Sequence, residues 1–345
     1  MENLVSSPGR TLRWGIIGTG QIAAAFATDL ALLPNAEIVA VGSRAQASAD
    51  SFGDRFAIAR RYSSYDALAN DPEVDAVYVA TPHPAHFACA GLAVRAGKAV
   101  LVEKPFTLNA AEARELVAEA RARGTFLMEA MWTRFLPHVV RIRELLADDR
   151  LGEVRSLIAD FGEYFPEDAI HRSFAPALGG GALLDLGVYT VSLASMLFGP
   201  PERITARSHP AFTGVDSQTA VILEYAGGRQ ALLFTTLEGH TSNRASINGR
   251  DARIEIAADF FAPTYFQVIE GGRVAETHHI DHVGRGLRHQ AAEVWRCLDS
   301  GFAESPWMPL DETIAIMDTL DEVRRQIGLR YPAESSDMSA TGNTF

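Results

Sequence analysis

Three places in the 345-residue chain combine residue types and spacings that chemistry can use. The first is Gly18-Thr19-Gly20-Gln21-Ile22-Ala23, a GxGxxA run between an apolar strand-like segment and a helix-like one. Gly18 permits a tight turn, and Gly20 lets a pyrophosphate approach the backbone. Gln21 and Ile22 open a helix whose N-terminus faces the phosphates, and Ala23 keeps that helix close to the sheet. In this strand–turn–helix setting the run predicts dinucleotide binding.

The second place is Val41-Gly42-Ser43-Arg44, where a second strand ends and an adenosine ribose is read. An NAD enzyme commonly places Asp or Glu there, and this chain has neither. A hydroxyl followed by a guanidinium suits a 2′-phosphate, so NADP is expected in preference to NAD. The alternative is that Arg44 is a solvated surface arginine.

The third place is a pair of strand exits, Ala80-Thr81-Pro82-His83-Pro84 and Glu103-Lys104-Pro105. Ligands bind outside the carboxyl ends of parallel strands, which assigns Thr81, Pro82, His83, His86, Glu103 and Lys104 to the cofactor cleft. His83 and His86 lack the i,i+4 spacing of a helical metal pair, and no third ligand is near, so no metal is expected. Neighbours on a strand face opposite ways, so only one of Glu103 and Lys104 can face a given side of the cleft. Lys104 is the better catalytic candidate, because an ammonium can steer an alcohol oxygen and stabilise its developing negative charge. The alternative is a plain surface ion pair.

Lysine is scarce here. The chain has 31 basic residues, of which only Lys98 and Lys104 are lysines. An ordinary surface cation is therefore arginine. Lys98 lies in a turn with no evident reason for its type. Lys104 sits where a compact, titratable ammonium is useful and a guanidinium with a pKa above ~12 could not exchange a proton.

The elements that must position these residues change style along the chain. Strand-like runs at Leu12–Ile17, Glu37–Val41, Ala76–Ala80, Ala99–Val102 and Thr125–Met128 alternate with helix-like runs at Ile22–Leu33, Ala85–Ala96 and Ala110–Arg123. Repeated βα units of this length predict an α/β fold with a parallel, doubly wound sheet. After Trp132 come a helix at Pro137–Leu146 and strand-like runs at Val154–Phe161, Ile204–Ser208, Thr219–Tyr225, Gln230–Thr236, Arg253–Ala257 and Tyr265–Ile269. These predict a mostly antiparallel sheet, followed by helices at Gly286–Leu298 and Leu310–Ile327. The expected division is an N-terminal tail 1–9, a dinucleotide-binding domain 10–131, a substrate and oligomerisation domain 132–333 and a disordered tail 334–345.

Composition narrows the class. A net charge of −12 without a basic run argues against nucleic-acid binding. Cys89 and Cys297 lie far apart without CxxC spacing, which fits a reducing cytoplasm. The N-terminus lacks a signal-peptide layout. The longest uncharged apolar run, Leu186–Phe198, is shorter than the ~18–20 residues a membrane helix needs.

The GxGxxA loop, the Ala80–His86 run and Glu103-Lys104-Pro105 together resemble the glucose–fructose oxidoreductase/inositol dehydrogenase (Gfo/Idh/MocA) family. The resemblance covers nearly the whole chain. Glu129-Ala130-Met131-Trp132-Thr133-Arg134-Phe135, the run from Gly179-Gly180-Gly181 through Asp185 to Tyr189, and Glu304-Ser305-Pro306-Trp307-Met308-Pro309-Leu310 narrow it. They resemble the subgroup of dimeric dihydrodiol dehydrogenase and NADP-dependent D-xylose dehydrogenase.

That resemblance implies an N-terminal Rossmann domain and a C-terminal α+β domain whose large open sheet forms a homo-oligomer, a dimer or tetramer. Many family members carry His where this chain has Tyr189, whereas Tyr is what the subgroup leads one to expect. Asp185 and Tyr189, four apart in an expected helix, share a face. The implied chemistry has Tyr189 exchange the proton of a substrate hydroxyl while hydride moves to or from nicotinamide C4. Lys104 polarises the oxygen and tunes the phenol, and Asp185 accepts a substrate hydroxyl or orients Lys104.

Trp132, Arg134, Phe165 and Arg172 are expected to border the substrate, a small sugar, polyol or cyclic diol. The competing readings are a ketosugar (anhydrofructose-type) reductase and a non-catalytic dinucleotide-binding regulator of the same fold. Retention of Lys104 and Tyr189 speaks against the regulator.

Overall fold

The structure is a computed structural model that describes residues 11–334, so the tail expected at 1–9 and most of that expected at 334–345 lie outside the described residues. The chain forms two compact units. Residues to Trp132 and Val283–Leu310 make the first, and Thr133–His282 with the described residues from Asp311 onward make the second.

The first unit holds β1 (Leu12–Ile17), α1 (Gln21–Leu30), β2 (Ala36–Gly42), α2 (Gln46–Phe56), β3 (Arg60–Tyr62), α3 (Tyr65–Ala69), β4 (Ala76–Val79), α4 (His86–Arg95), β5 (Ala99–Glu103), α5 (Ala110–Arg123) and β6 (Leu127–Ala130). Its six strands run parallel in the order β3-β2-β1-β4-β5-β6. The chain thus winds outward from β1 in both directions, and the switch point lies between β1 and β4. Strands β4 and β5 are buried along their whole length, as befits a sheet covered on both faces. Burying each Val, Ile or Leu side chain there contributes roughly 1.5–3 kcal/mol.

Helix α5 begins at the Asn109 cap, whose side chain accepts from Glu112 N, and ends at Gly124 in the left-handed region. Thr125 N then closes onto Ala120 O at 3.0 Å, so strand β6 starts at Leu127 rather than at Thr125 as expected.

The second unit opens with α6 (Pro137–Ala147) and β7 (Val154–Gly162). After α7 (Val188–Phe198) come β8 (Arg203–Pro210), β9 (Asp216–Tyr225), β10 (Arg229–Thr236), β11 (Ala245–Gly249), β12 (Arg253–Ile256), β13 (Phe266–Glu270) and β14 (Arg273–His278). The eight strands stand in the order β14-β13-β12-β11-β7-β10-β9-β8 and are antiparallel except for the β7–β10 pair.

Leu157, Ala159, Phe161, Val221, Leu223, Ala231 and Leu233 are buried on one face, the side on which α7 packs. On the other face Ile158, Ile222 and Leu232 pair across three adjacent strands, and all three are exposed. The open, mostly antiparallel sheet expected for this half is present.

Among the described residues two α-helices follow the sheet, α8 (Arg288–Asp299) and α9 (Leu310–Ile327). Gln326 of α9 covers the edge strand β8, its side chain accepting from Ala206 N at 2.9 Å and donating to Ile204 O at 2.8 Å.

Helix α8 packs with the first unit, against α1. There the Asp29 carboxylate accepts Arg285 N at 2.9 Å and Leu287 N at 2.8 Å. Leu127 N donates to Ala303 O at 3.2 Å. The single division expected at residue 132 is thus replaced by a return of 283–310 to the first unit.

Two further expectations change. Glu334, expected to begin a disordered tail, ends a 3-10 turn at Pro332–Glu334, and its carboxylate pairs with Arg324 at 2.8 Å. The apolar run counted as Leu186–Phe198 belongs to a longer helical stretch, Pro176–Phe198. By length and composition that stretch could cross a membrane, because helical turns precede α7 and a single carboxylate does not lower the mean enough. Most of it is buried inside the protein, as in the core helix of a globular domain.

Candidate active site

The candidate residues fall into two sets, one in each unit. In the first unit the glycine loop joins β1 to α1. Gly18 has φ +106°, and a Cβ there would lie 2.5 Å from Ala80 O, so only glycine fits between the exits of β1 and β4. Gly20 caps α1 with nothing within 4 Å of the place a Cβ would take. The first turn of α1 carries no acidic residue, and Gln21 and Ile22 are exposed beside it. An open helix N-terminus with this room fits a pyrophosphate.

Ser43 N donates to Tyr62 O at 3.0 Å, which fixes the exit of β2. Arg44 follows, exposed, immediately before α2, whose first turn also lacks an acid. The Tyr65 phenol interacts with Arg44, and its pKa is raised, chiefly by burial.

The exits of β4 and β5 are tied together. His86 is fully buried, with Nε2 2.8 Å from Thr81 O and Nδ1 2.8 Å from Pro105 O. Burial pushes its pKa below the ordinary imidazole value. The imidazole, expected at the cofactor, thus sits between the carbonyls of Thr81 and Pro105, and as a neutral ring it donates to one of them. His83 lies half-buried in the 3-10 turn His83–Ala85, its ring edge-on to His86 at 5.7 Å between centroids.

Glu103, also expected in the cofactor cleft, has internal partners. Its side chain is buried, accepts a short hydrogen bond from the Tyr78 hydroxyl, and accepts Lys104 N at 3.2 Å. It holds the backbone at Lys104. Lys104 itself is half-buried at the end of the strand. The other lysine now has a reason. Lys98 Nζ donates to Asp71 O and Val74 O, each at 2.8 Å, a fork of carbonyls that a compact ammonium fits.

In the second unit the glycine triplet packs on the segment before it. A Cβ on Gly180 would lie 2.8 Å from both Arg172 O and Ser173 O, and Gly181 N donates to Ser173 O at 2.8 Å. The helix that follows starts with a π-type turn at Leu183–Gly187 and continues as α7. Asp185 lies in the widened turn, the kind of irregularity that recurs at functional sites. Its carboxylate is buried and pairs with Arg172 at 2.9 Å, so two expected site residues meet. Tyr189 is 7% exposed, with its ring 5.6 Å from those of Phe161 and Phe261, which stack on each other at 3.8 Å.

Arg134, expected to border the substrate, is tied into the second unit. Its guanidinium is buried and binds Ser192 Oγ at 3.0 Å, Ser192 O at 2.7 Å and Glu312 at 2.7 Å. It braces α7 against the start of α9. The Phe165 ring lies 5.6 Å from His171, and Trp132 is half-buried at the end of the first unit's N-terminal stretch.

Three supports escaped sequence reasoning. Asp216 Oδ2 accepts Leu183 N at 2.7 Å and the Thr219 hydroxyl at 2.8 Å, capping the turn that bears Asp185. Burial pushes the Asp216 carboxyl up to about 7. Tyr331 donates to Gly180 O at 2.7 Å, and Tyr78 donates to Glu103. No local motif marks any of them, because each meets its partner through strand register or the chain's end.

Comparison with known proteins decides the family. A family model described as "Oxidoreductase family, NAD-binding Rossmann fold" matches residues 12–131, and one described as "GFO/IDH/MocA C-terminal domain" matches residues 139–255. This chain belongs to the Gfo/Idh/MocA oxidoreductase family.

The trans-1,2-dihydrobenzene-1,2-diol dehydrogenase of Sus scrofa is 41% identical over 334 residues, covering 94% of this chain and 99% of that one. The Homo sapiens enzyme of that name is 40% identical over 336 residues, with the same shares covered. A solved 3-ketoreductase from Actinomadura kijaniata, in complex with NADP and TDP-benzene, superposes with a TM-score of 0.82 at 27% identity, covering 92% of this chain and 98% of that one. As a Gfo/Idh/MocA member with these relatives, the protein is an enzyme, an NAD(P)-dependent oxidoreductase acting on CH–OH groups.

Proposed function

We propose that this Gfo/Idh/MocA enzyme is an NADP-dependent dehydrogenase acting on a secondary alcohol or hemiacetal carbon of a small sugar, polyol or cyclic diol. The observation that carries this reading is the chain-length likeness to dihydrodiol dehydrogenases at 40–41% identity. Bound NADP supplies the hydride acceptor.

Everything else falls to the chain. Lys104 donates a hydrogen bond to the substrate oxygen and stabilises the charge that develops there. Tyr189 takes the hydroxyl proton in oxidation and returns it in reduction. Asp185, held by Arg172, accepts a neighbouring substrate hydroxyl, and Trp132 and Phe165 offer apolar faces to a ring. His86 ties the strand exits that present Thr81, Pro82 and His83 to the cofactor, and Glu103 holds the backbone at Lys104.

A screen for NADPH formation across aldoses, inositols, anhydrosugars and trans-dihydrodiols tests the reading. Turnover of at least one class is expected, and no turnover with any class or nucleotide would overturn it. The likeness to a 3-ketoreductase favours a second reading, ketosugar reduction, which the same screen detects when run from NADPH.

The preference for NADP rests on Ser43 and Arg44 at an exit without an acid. Arg44→Asp removes a charge-assisted contact and adds repulsion. It is expected to raise the KM for NADP at least about tenfold more than that for NAD. An unchanged ratio of the two sinks the assignment.

The open sheet face carrying Ile158, Ile222 and Leu232 fits a second copy of the chain, giving a dimer or tetramer. Sedimentation of Ile158→Arg is expected to show monomers, and an unaltered mass argues against this face. Cys89 and Cys297 are free and buried, in keeping with a cytoplasmic enzyme.

A further inference from the structure

The first unit contains an unbroken line of contacts from the helix of the glycine loop to Lys104. Phe26, on α1, is fully buried and stacks on Tyr78 of β4 with ring centroids 3.8 Å apart and planes 19° from parallel. Trp14 of β1 packs edge-on against Phe26, with ring centroids 5.5 Å apart. The Tyr78 ring is thereby fixed, and its hydroxyl donates to Glu103 Oε1 across the β4–β5 pair. The second oxygen of the same carboxylate, Glu103 Oε2, accepts the backbone N–H of Lys104. Neither Tyr78 nor Glu103 faces solvent, so their job lies inside the protein.

We propose that Tyr78 is a positioning residue for the reaction: through Glu103 it sets the backbone at Lys104, and so the reach of the ammonium. This rests on the reading of Lys104 given above. The physical warrant is the choice of residue. A strand position buried on both faces would be filled at lower cost by Phe, since a buried hydroxyl must find a partner. The partner here is a carboxylate whose other oxygen holds the backbone of the proposed catalytic lysine. A small displacement of a polarising group is costly, on the order of 10²-fold in rate for about 1 Å.

Tyr78→Phe removes one oxygen and keeps the stack on Phe26. Its kcat is expected to fall about tenfold while the KM for NADP stays within about twofold, because the glycine loop and Arg44 are untouched. The primary deuterium isotope effect on kcat should rise as hydride transfer becomes slower than release. In the second arm, Glu103→Ala should lose activity in the same pattern. Glu103→Gln should recover most of it, since its amide still accepts Lys104 N–H while the phenol turns to accept from the amide NH₂.

Unchanged kcat and isotope effect in Tyr78→Phe overturn the inference. So does a parallel loss of kcat, NADP affinity and melting temperature, which marks a purely structural role, or a Gln variant no better than Ala. Lys104→Met measured alongside separates the two levels. If that variant is active, the reading of Lys104 has failed. If it is inactive while Tyr78→Phe behaves as wild type, only the positioning role has failed.

Discussion

Lys104→Arg is expected to abolish most of the activity, by at least about 10²-fold in kcat, although the positive charge is kept. Arginine places a planar, permanently charged fork on a longer arm, where the proposed chemistry uses a compact ammonium aimed at one oxygen. The chain supplies its own control. Lys98 binds two backbone carbonyls far from any ligand-facing strand end. Lys98→Arg should therefore lower the melting temperature and leave kcat alone. Loss of kcat in Lys98→Arg, or its retention in Lys104→Arg, would separate lysine chemistry from the site. Circular dichroism and NADP affinity on both variants exclude unfolding as the cause.

Tyr189→Phe is the second large effect. Hydride transfer in a single turnover should slow by about 10²–10⁴-fold, the usual loss when a positioned acid–base group is removed. The ring stays, so its packing against Phe161 and Phe261 is kept and folding should be unaffected. NADP binding should be unchanged, because every residue proposed for the cofactor lies in the other unit. Near-wild-type single-turnover rates in both Tyr189→Phe and Lys104→Met rule the mechanism out.

The legible parts of this molecule were those with a local signature. The GxGxxA turn, the apolar runs of β1, β4 and β5 and the capped helix α9 each announce themselves over a few residues, and the structure has them within a residue or two. Elements with weak signatures were not read. Helix α2 is polar on average and buries few residues, β3 is three residues long, and β14 is largely exposed and so lacks an apolar pattern.

At the site, a linear motif places residue types at strand ends but does not give the direction in which side chains point. Glu103 and His86 turn inward to hold backbone. Arg134, expected to border the substrate, is buried against Ser192 and Glu312. Asp216 and Tyr331 lie 33 and 151 residues from their partners Leu183 and Gly180, and nothing in a linear motif relates such pairs.

The return of residues 283–310 to the first unit bears on how this protein can be taken apart. Cutting after Trp132 would strip away the backbone donors that the Asp29 carboxylate accepts and expose the α1 surface that α8 covers. It would also remove Ala303 O from the outer strand, leaving the β6 edge open to pair with other chains. The nucleotide-binding half is therefore not a module that can be borrowed as a contiguous cassette. Recombination that swaps substrate halves between relatives must carry the 283–310 segment with the nucleotide half, and chimeras joined at a single crossover near residue 132 should be insoluble where double-crossover chimeras fold.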